Sequence, residues 1–366
     1  MPEFLSGLVL AERFYHEAVR PILDARFPGV PHGAALIGGG SEVLGFDTPV
    51  STDHHWGPRA LLFLGEDDHA THAESIREEL RRSLPHAFLD WPTNFTDPDP
   101  QDHGTQLLRS TTSGPVNHRV DVVTVRGFFL DYLGLDLRDH LDPVDWLTLP
   151  SQKLRTITAG AVFHDAIGLG EVRARFEWYP RDVWLYMLAA GWTRIGQEEH
   201  LMGRAGQVGD EIGSALIAGR LVRDLMRLCF LMEREYAPYA KWYGTAFARL
   251  KSAGPMSPLL SRVLGAEAWP ERDRALGEAY AVVARMHNAL GLTDPMPAVP
   301  EQFFGRPFTV IFGERFARAL SAGIVDPRVR GIPLPIGGID QWSDSTDLLE
   351  AAALRARLKS HYHPAR

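Results

Sequence analysis

An apolar run that ends in a glycine turn constrains the fold more than any other feature. Residues 34–37 (Ala-Ala-Leu-Ile) are followed by three glycines at 38–40 and then by Ser41. This pattern predicts a buried strand that ends in a tight turn. The backbone N–H groups and serine hydroxyl of such a turn can hold phosphate oxygens. We therefore predict phosphate binding at Gly39, Gly40 and Ser41, whereas a glycine run alone is also typical of an ordinary turn.

Two acidic residues extend this prediction to a divalent cation. Asp53 comes a short loop after the turn, and Asp121 lies in the β-branched run 119–125. Carboxylates beside a phosphate site can hold a cation that bridges the phosphates. An acid among valines is costly to bury unless it is paired or metal-bound. We predict that Asp53 and Asp121 bind metal; the alternative for Asp121 is a buried salt bridge to Arg59 or Arg119.

His55 is the third candidate ligand, because a neutral imidazole can bind a metal. Mg²⁺ prefers oxygen ligands, so a histidine in this position weakens the expectation of a centre with two Mg²⁺ ions. The predicted metal is Mg²⁺ or Mn²⁺, with Zn²⁺ as an alternative because of His55. The neighbouring His54 is expected on the surface of the loop.

Strands and helices alternate over the first 150 residues. Apolar residues at helical spacing predict a helix over 6–26, and a second helix is expected over 71–84. The runs 60–64 and 119–125 predict strands. This alternation predicts an α/β (α+β) domain with a mixed sheet over residues 1–150.

The rest of the chain is predicted to be mostly helical. The clearest helices span 181–202 and 210–236, and Asp210 is placed to cap the second one. We expect a helical domain over residues 151–290, followed by a C-terminal appendage over 291–366 that packs on the other two domains.

Charged residues of the helical domain have two interpretations each. Glu199 lies on an apolar helix face, which leaves two interpretations. It either pairs with an arginine, Arg220 or Arg223, or acts as a general base that faces a cleft between domains. Arg220, Arg223 and Arg227 are spaced by three and four residues. They form either a salt-bridged seam between helices or a triphosphate site. Glu198 is expected in solvent.

Composition limits the partners and the cellular location. The chain has 366 residues and a formal net charge of -8, without a long block of Lys or Arg. We therefore expect no nucleic acid polymer as partner, because binding one requires clustered cations. The single cysteine, Cys229, excludes an intramolecular disulfide. The sequence lacks an apolar run of about 18 residues, so we expect a cytoplasmic protein without membrane contact. No feature specifies the oligomeric state.

The glycine turn and the later acids resemble the signature of the nucleotidyltransferase superfamily, the fold of DNA polymerase beta, poly(A) polymerase and the antibiotic nucleotidyltransferases. In that superfamily a Gly-Ser turn precedes an acid-x-acid pair, and a third acid comes from a later strand. The matching positions are Gly40, Ser41, Asp53, His55 and Asp121. His55 departs from the pattern, which implies a single metal, a borderline metal or a loss of catalysis.

Nearly the whole chain also resembles a bacterial family of unknown function whose first domain is described as nucleotidyltransferase-like. The resemblance names a family but no substrate. It is carried by residues 40–45, 53–59, 158–165, 196–199, 204–206, 220–226 and 236–242.

These resemblances imply an enzyme that transfers a nucleoside monophosphate from an NTP to a hydroxyl of a small molecule or protein. Asp53 and Asp121 would be catalytic, and Glu199 would be the base. Arg223 and Lys241 would contact the triphosphate, as a cation of the helical domain does in antibiotic nucleotidyltransferases. The alternatives are a nucleotide sensor or interaction protein that kept the fold, and a His/carboxylate metal enzyme of another class.

Overall fold

A computed structural model describes residues 3–333 and 335–363, except for the side chain of Asp53. Its strands are β1 (His32–Leu36), β2 (Arg59–Leu64), β3 (Ala87–Phe88), β4 (Trp91–Pro92), β5 (Arg119–Thr124), β6 (Ala161–Asp165), β7 (Glu301–Gln302) and β8 (Thr309–Val310). Its α-helices are α1 (Gly7–Phe14), α2 (Arg20–Arg26), α3 (Glu66–Ser83), α4 (Val125–Leu133), α5 (Pro143–Thr148), α6 (Ser151–Thr158), α7 (Leu169–Ala174), α8 (Arg181–Glu198), α9 (Leu201–Gln207), α10 (Glu211–Glu233), α11 (Ala240–Phe247), α12 (Ala253–Gly265), α13 (Trp269–Ala289), α14 (Gly313–Ala322), α15 (Pro327–Arg330), α16 (Ile339–Trp342), α17 (Thr346–Glu350) and α18 (Ala352–Leu358).

The chain folds into two compact units. The first unit consists of Met1–His140 and Lys153–Glu177, and the second of Leu141–Gln152 and Trp178–Arg366. The first unit therefore includes Lys153–Glu177, which lies beyond the domain boundary predicted at residue 150.

The first unit contains the predicted mixed sheet. Its four strands are ordered β5-β2-β1-β6; β1 is antiparallel to both neighbours, and β2 and β5 are parallel. The predicted N-terminal helix forms as α1 and α2, joined by a π-helical turn over Tyr15–Val19. Phe14 of α1 and Ile76 of α3 share a core with Val120 and Val122 of β5, and each such buried side chain contributes roughly 1.5–3 kcal/mol.

The second unit is largely helical, as predicted. Asp210 caps α10, because its side chain accepts a hydrogen bond from the N–H of Gly213 at 2.7 Å. The predicted helix over 181–202 is divided into α8 and α9. The apolar run 308–312 is typical of a strand but forms only the short β8, because the N–H groups of Thr309 and Ile311 bond to the buried carboxylates of Asp273 and Glu199.

Among the residues that the structure describes, no helix combines the length and the apolar character that crossing a membrane requires. Cys229 is buried in α10, and burial raises the pKa of its thiol to about 12, which is typical of an unreactive structural cysteine.

Candidate functional site

Three segments of the first unit meet at one edge of its sheet. The register pairs Ala35 of β1 with Leu61 of β2, so the end of β1 lies beside the beginning of β2. Parallel pairing places Arg59 beside Arg119, where β2 and β5 begin. The glycine turn that follows β1 therefore lies next to the first residues of both parallel strands.

The glycine turn is open to solvent where phosphate binding was predicted. Gly38 has a φ of 87° and donates its N–H to the carbonyl of Thr156 at 2.9 Å, which fixes the turn. Gly39 and Gly40 are exposed. The N–H groups of Gly39, Gly40 and Ser41 donate to no group within the described part of the chain. These donors are free to receive a ligand.

Arg59 lies against this turn and is held by a buried acid. Its Nε donates to the Glu42 carboxylate at 2.8 Å, and its Nη2 donates to the Gly39 carbonyl at 2.8 Å. The Glu42 side chain is only 5% exposed. A Cβ on Gly40, whose φ is 139°, would lie 2.5 Å from Arg59 Nη2, so glycine is required there. Arg59 therefore links the glycine turn to the buried carboxylate of Glu42.

Arg119 brings a second guanidinium to the same edge. Its Nη1 lies 2.8 Å from Nδ1 of His55. Burial lowers the pKa of Arg119, and the positive charge of Arg59 lowers it further, which indicates that the two cations face a shared region. An anion placed there would be attracted to both.

The geometry of His55 argues against a metal on its ring. Arginine can only donate, so Nδ1 of His55 accepts and a neutral ring carries its proton on Nε2. Burial lowers the pKa of His55, and Arg119 lowers it further, so the ring is neutral near pH 7. Neither nitrogen has a free lone pair while this contact persists. Metal binding by His55 stays a prediction that requires Arg119 to move.

Asp121 is exposed, and the expectation that it is buried is wrong. β5 alternates, so that Val120 and Val122 face the core and Asp121 faces solvent. The predicted salt bridge to Arg59 or Arg119 is absent among the described side chains. Asp121 lies on the same strand face as Arg119, two residues away, so its carboxylate is available at the edge that carries the two guanidinium groups.

Asp53 ends a short 3-10 helix, Pro49–Asp53, that precedes His55 and β2. The structure does not describe the side chain of Asp53, so metal binding by this residue stays a prediction. Within residues 3–333 and 335–363, and leaving Asp53 aside, no group of three His, Cys, Asp or Glu side chains could hold a metal ion.

Glu199 has a structural position in the second unit. It is 3% exposed, and its two oxygens accept the N–H groups of Ile311, Phe312 and Gly313 at 2.6–3.2 Å, at the beginning of α14. The predicted pairing with Arg220 or Arg223 is wrong. Action as a general base stays a prediction, and these contacts give it no support.

We expect Glu199 to make the second unit less stable as the pH rises. Burial raises the pKa of Glu199 to about 7 from 4.5, although the three N–H groups lower it. The folded state then keeps a proton that the unfolded state loses, so stability falls between pH 4.5 and 7 by about 3 kcal/mol. Thermal unfolding of the wild type and Glu199→Gln across this range isolates the effect, because glutamine does not titrate. A wild type that gains stability relative to the variant would mean that Glu199 is ionised in the folded state.

The three arginines of α10 form ion pairs, that of Arg227 with Asp224 at 3.5 Å. Glu198 is buried and accepts bonds from Arg220 at 2.7 and 2.9 Å, so the expectation of a solvated Glu198 is wrong. This pair supports the salt-bridged interpretation of that seam. Arg223 pairs with Asp344 at 2.5 Å. Lys241 is exposed in α11, over the ring of Trp242. Triphosphate binding by Arg223 and Lys241 stays a prediction.

The comparisons with known proteins identify one region of the chain. Residues 146–243 match the family model described as a domain of unknown function, DUF4037. The chain contains a DUF4037 domain. No curated protein and no solved structure gives a significant match to the sequence. The DUF4037 domain begins in α5 and ends in α11, and the glycine turn lies outside it.

Sequence reasoning missed Glu42 and assigned Arg59 and Arg119 only as partners of Asp121. A signal was present: Glu42 directly follows Ser41, Arg59 directly precedes the predicted strand 60–64, and Arg119 begins the predicted strand 119–125. The pairing of Glu42 with Arg59 depends on the register of β1 and β2, and the position of Arg119 depends on the register of β2 and β5; neither register can be predicted from residue spacing.

Proposed function

We propose that the first unit binds a nucleoside triphosphate with Mg²⁺ or Mn²⁺ and transfers its nucleoside monophosphate to a hydroxyl of a small molecule or protein. One observation carries the proposal. An open glycine turn with unused N–H donors, two guanidinium groups and an exposed carboxylate lie at one edge of the sheet. Phosphate oxygens match the donors, and a carboxylate beside them suits a hard cation.

In this reaction the acceptor hydroxyl oxygen attacks the α-phosphorus and its proton passes to water, while the bond between the α-phosphorus and the oxygen that bridges to the β-phosphorus breaks and pyrophosphate leaves. Arg59 and Arg119 would bind the phosphates and offset the charge of the leaving pyrophosphate. The turn at residues 39–41 would orient the phosphates through its N–H groups. A divalent ion held by Asp121, and by Asp53 as predicted, would neutralise phosphate charge. These residues fit one ion better than two, because the lone pairs of His55 are engaged.

No residue of the site identifies the acceptor molecule. An acidic chain suits a cationic small molecule, and a protein hydroxyl is equally compatible with the reaction. Nucleotide and acceptor are thus the proposed partners, without a nucleic acid polymer.

The contact between His55 and Arg119 also favours a second candidate function. A nucleotide sensor with the same fold would use the two guanidinium groups to bind an NTP without transferring it. It predicts NTP binding without pyrophosphate release.

Pyrophosphate release from each of the four NTPs tests the proposal, with Mg²⁺ or Mn²⁺ and cell extract as the acceptor pool. We expect release from at least one NTP, together with saturable binding in calorimetry. Arg119→Gln should weaken binding by about 10-fold or more, because a charged hydrogen bond to phosphate is lost. Arg82→Gln, an exposed change on α3, is the matched control. Binding without release would favour the sensor, and absence of NTP binding would exclude both functions.

A further inference from the structure

One face of α10 in the second unit exposes large apolar side chains to solvent. Ile212 and Leu216 are 78% and 68% exposed, and Val208, just before the helix, is 82% exposed. The core face of α10 is a different one, since Leu221 and Leu225 on the opposite side of the helix are fully buried. Single exposed apolar residues are ordinary, whereas a group of them along one helix indicates an interaction surface.

Two small residues continue this face. Ala215 is exposed, and positions 212, 215, 216 and 219 lie within about 100° of one another around the helix axis. A Cβ on Gly219 would meet no atom within 4 Å beyond its own helical turn, so the surface above this glycine is open. We call Ile212, Ala215, Leu216 and Gly219 the apolar stripe. A large side chain of another helix can pack closely against its glycine.

Opposite charges lie at the two ends of the apolar stripe. Asp210 and Glu211 precede it; Asp210 is exposed, and the Glu211 side chain is 40% exposed. Arg220 and Arg223 follow it, with side chains that are 52% and 41% exposed.

Ion pairs within the chain reduce these charges without removing the difference. At the acidic end, Glu211 pairs with Arg272, but Asp210 is in no ion pair among the described side chains. At the basic end, the buried Glu198 is shared between Arg220 and Arg194. One end therefore stays negative and the other positive.

This charge pattern favours an antiparallel helix as the partner. Antiparallel packing brings the acidic end of one stripe to the basic end of the other, whereas parallel packing would place like charges together. A second copy of this chain supplies both ends in the required order, and a two-fold axis repeats each contact. With the axis between residues 215 and 216, Ile212 of each copy faces Gly219 of the other.

We propose that this chain forms a two-fold dimer in which the apolar stripe of α10 packs antiparallel on the same stripe of a second copy. Ile212 occupies the open surface above Gly219 of the other copy, and the two Leu216 side chains meet beside the axis. The small residues let the helices approach to about 8 Å. One helix pair buries less area than a standard interface, so we expect a dissociation constant in the micromolar range. The dimer does not depend on nucleotidyl transfer.

Sedimentation velocity of the full chain over about 1–500 µM tests the dimer. We expect a monomer–dimer equilibrium that Leu216→Glu weakens by about 100-fold or more, because both copies lose apolar burial and gain a facing charge. Val325→Glu is the matched control: Val325 is 69% exposed and binds the first turn of α8, whereas the stripe neighbours its last turn. A monomeric wild type would overturn the proposal and leave the stripe as a face for another protein. A dimer that Leu216→Glu does not weaken would also overturn it.

Cysteine cross-linking tests the register. The single native cysteine, Cys229, is buried, so an introduced cysteine on the stripe is the only exposed thiol. Under mild oxidation Leu216→Cys should form a disulfide-linked dimer. Ile212→Cys should not, because its two copies would lie about 10 Å apart along the helices, whereas Ile212→Cys combined with Gly219→Cys should. Cross-linking of Ile212→Cys but not of Leu216→Cys would contradict the antiparallel register.

Discussion

Asp121→Asn is expected to reduce pyrophosphate release by at least about 100-fold while NTP binding persists. The substitution removes the carboxylate charge that would hold the cation. It also removes a negative charge from the edge that carries Arg59 and Arg119, so binding of the NTP without metal should stay equal or strengthen. The measurement is release under saturating NTP, together with the dissociation constant for NTP in the presence of a chelator.

The fold is expected to tolerate this change, because Asp121 is exposed and unpaired among the described side chains. Asp67→Asn is the matched control, since Asp67 is an exposed acid in the first turn of α3. Release at the wild-type rate in Asp121→Asn would remove this residue from the reaction. Loss of NTP binding together with release would instead indicate that Asp121 acts by supporting the phosphate site.

Glu42→Ala is expected to destabilise the first unit by about 3 kcal/mol or more. Breaking a buried ion pair leaves an uncompensated charge, and the Arg59 side chain is 12% exposed. Arg59 also bonds to Gly39, so the glycine turn should lose order. Differential scanning calorimetry of the full chain measures the change as a lower transition temperature for this unit.

Glu78→Ala is the control, because Glu78 pairs with arginines on the surface of α3 and little change is expected there. Glu42→Gln combined with Arg59→Met should recover part of the lost stability, because the double variant leaves no unpaired charge. A Glu42→Ala protein that unfolds like the wild type would contradict the buried pair.

Local patterns predicted the first helices and three of the strands in the first unit. The apolar runs at 34–37 and 60–64 became β1 and β2, and the β-branched run became β5. Periodicity works here because it reports which face of an element is buried. It was less informative for Asp121, where the β-branched run suggested a fully buried strand but the strand alternates between core and solvent.

The partners of the charged residues could not be predicted in this way. Glu198 and Glu199 are adjacent, yet one binds the guanidinium of Arg220 and the other binds backbone N–H groups at the beginning of α14. Sequence spacing placed Glu199 on an apolar face. It could not predict that the partner of Glu199 is the segment around residue 311, which is more than one hundred positions away along the chain.

The sequence by itself determined which runs become β1, β2 and β5, that the second half is mostly helical, and that a glycine turn follows the first strand, because each of these depends on residues that are neighbours along the chain. Only the tertiary structure decided that Glu42 pairs with Arg59, that Arg119 donates a hydrogen bond to Nδ1 of His55, and that Arg227 and Asp340 line one pocket. Such pairings depend on strand register and helix packing, which bring distant charges together. The physical reason is that a charge acts through space rather than along the chain.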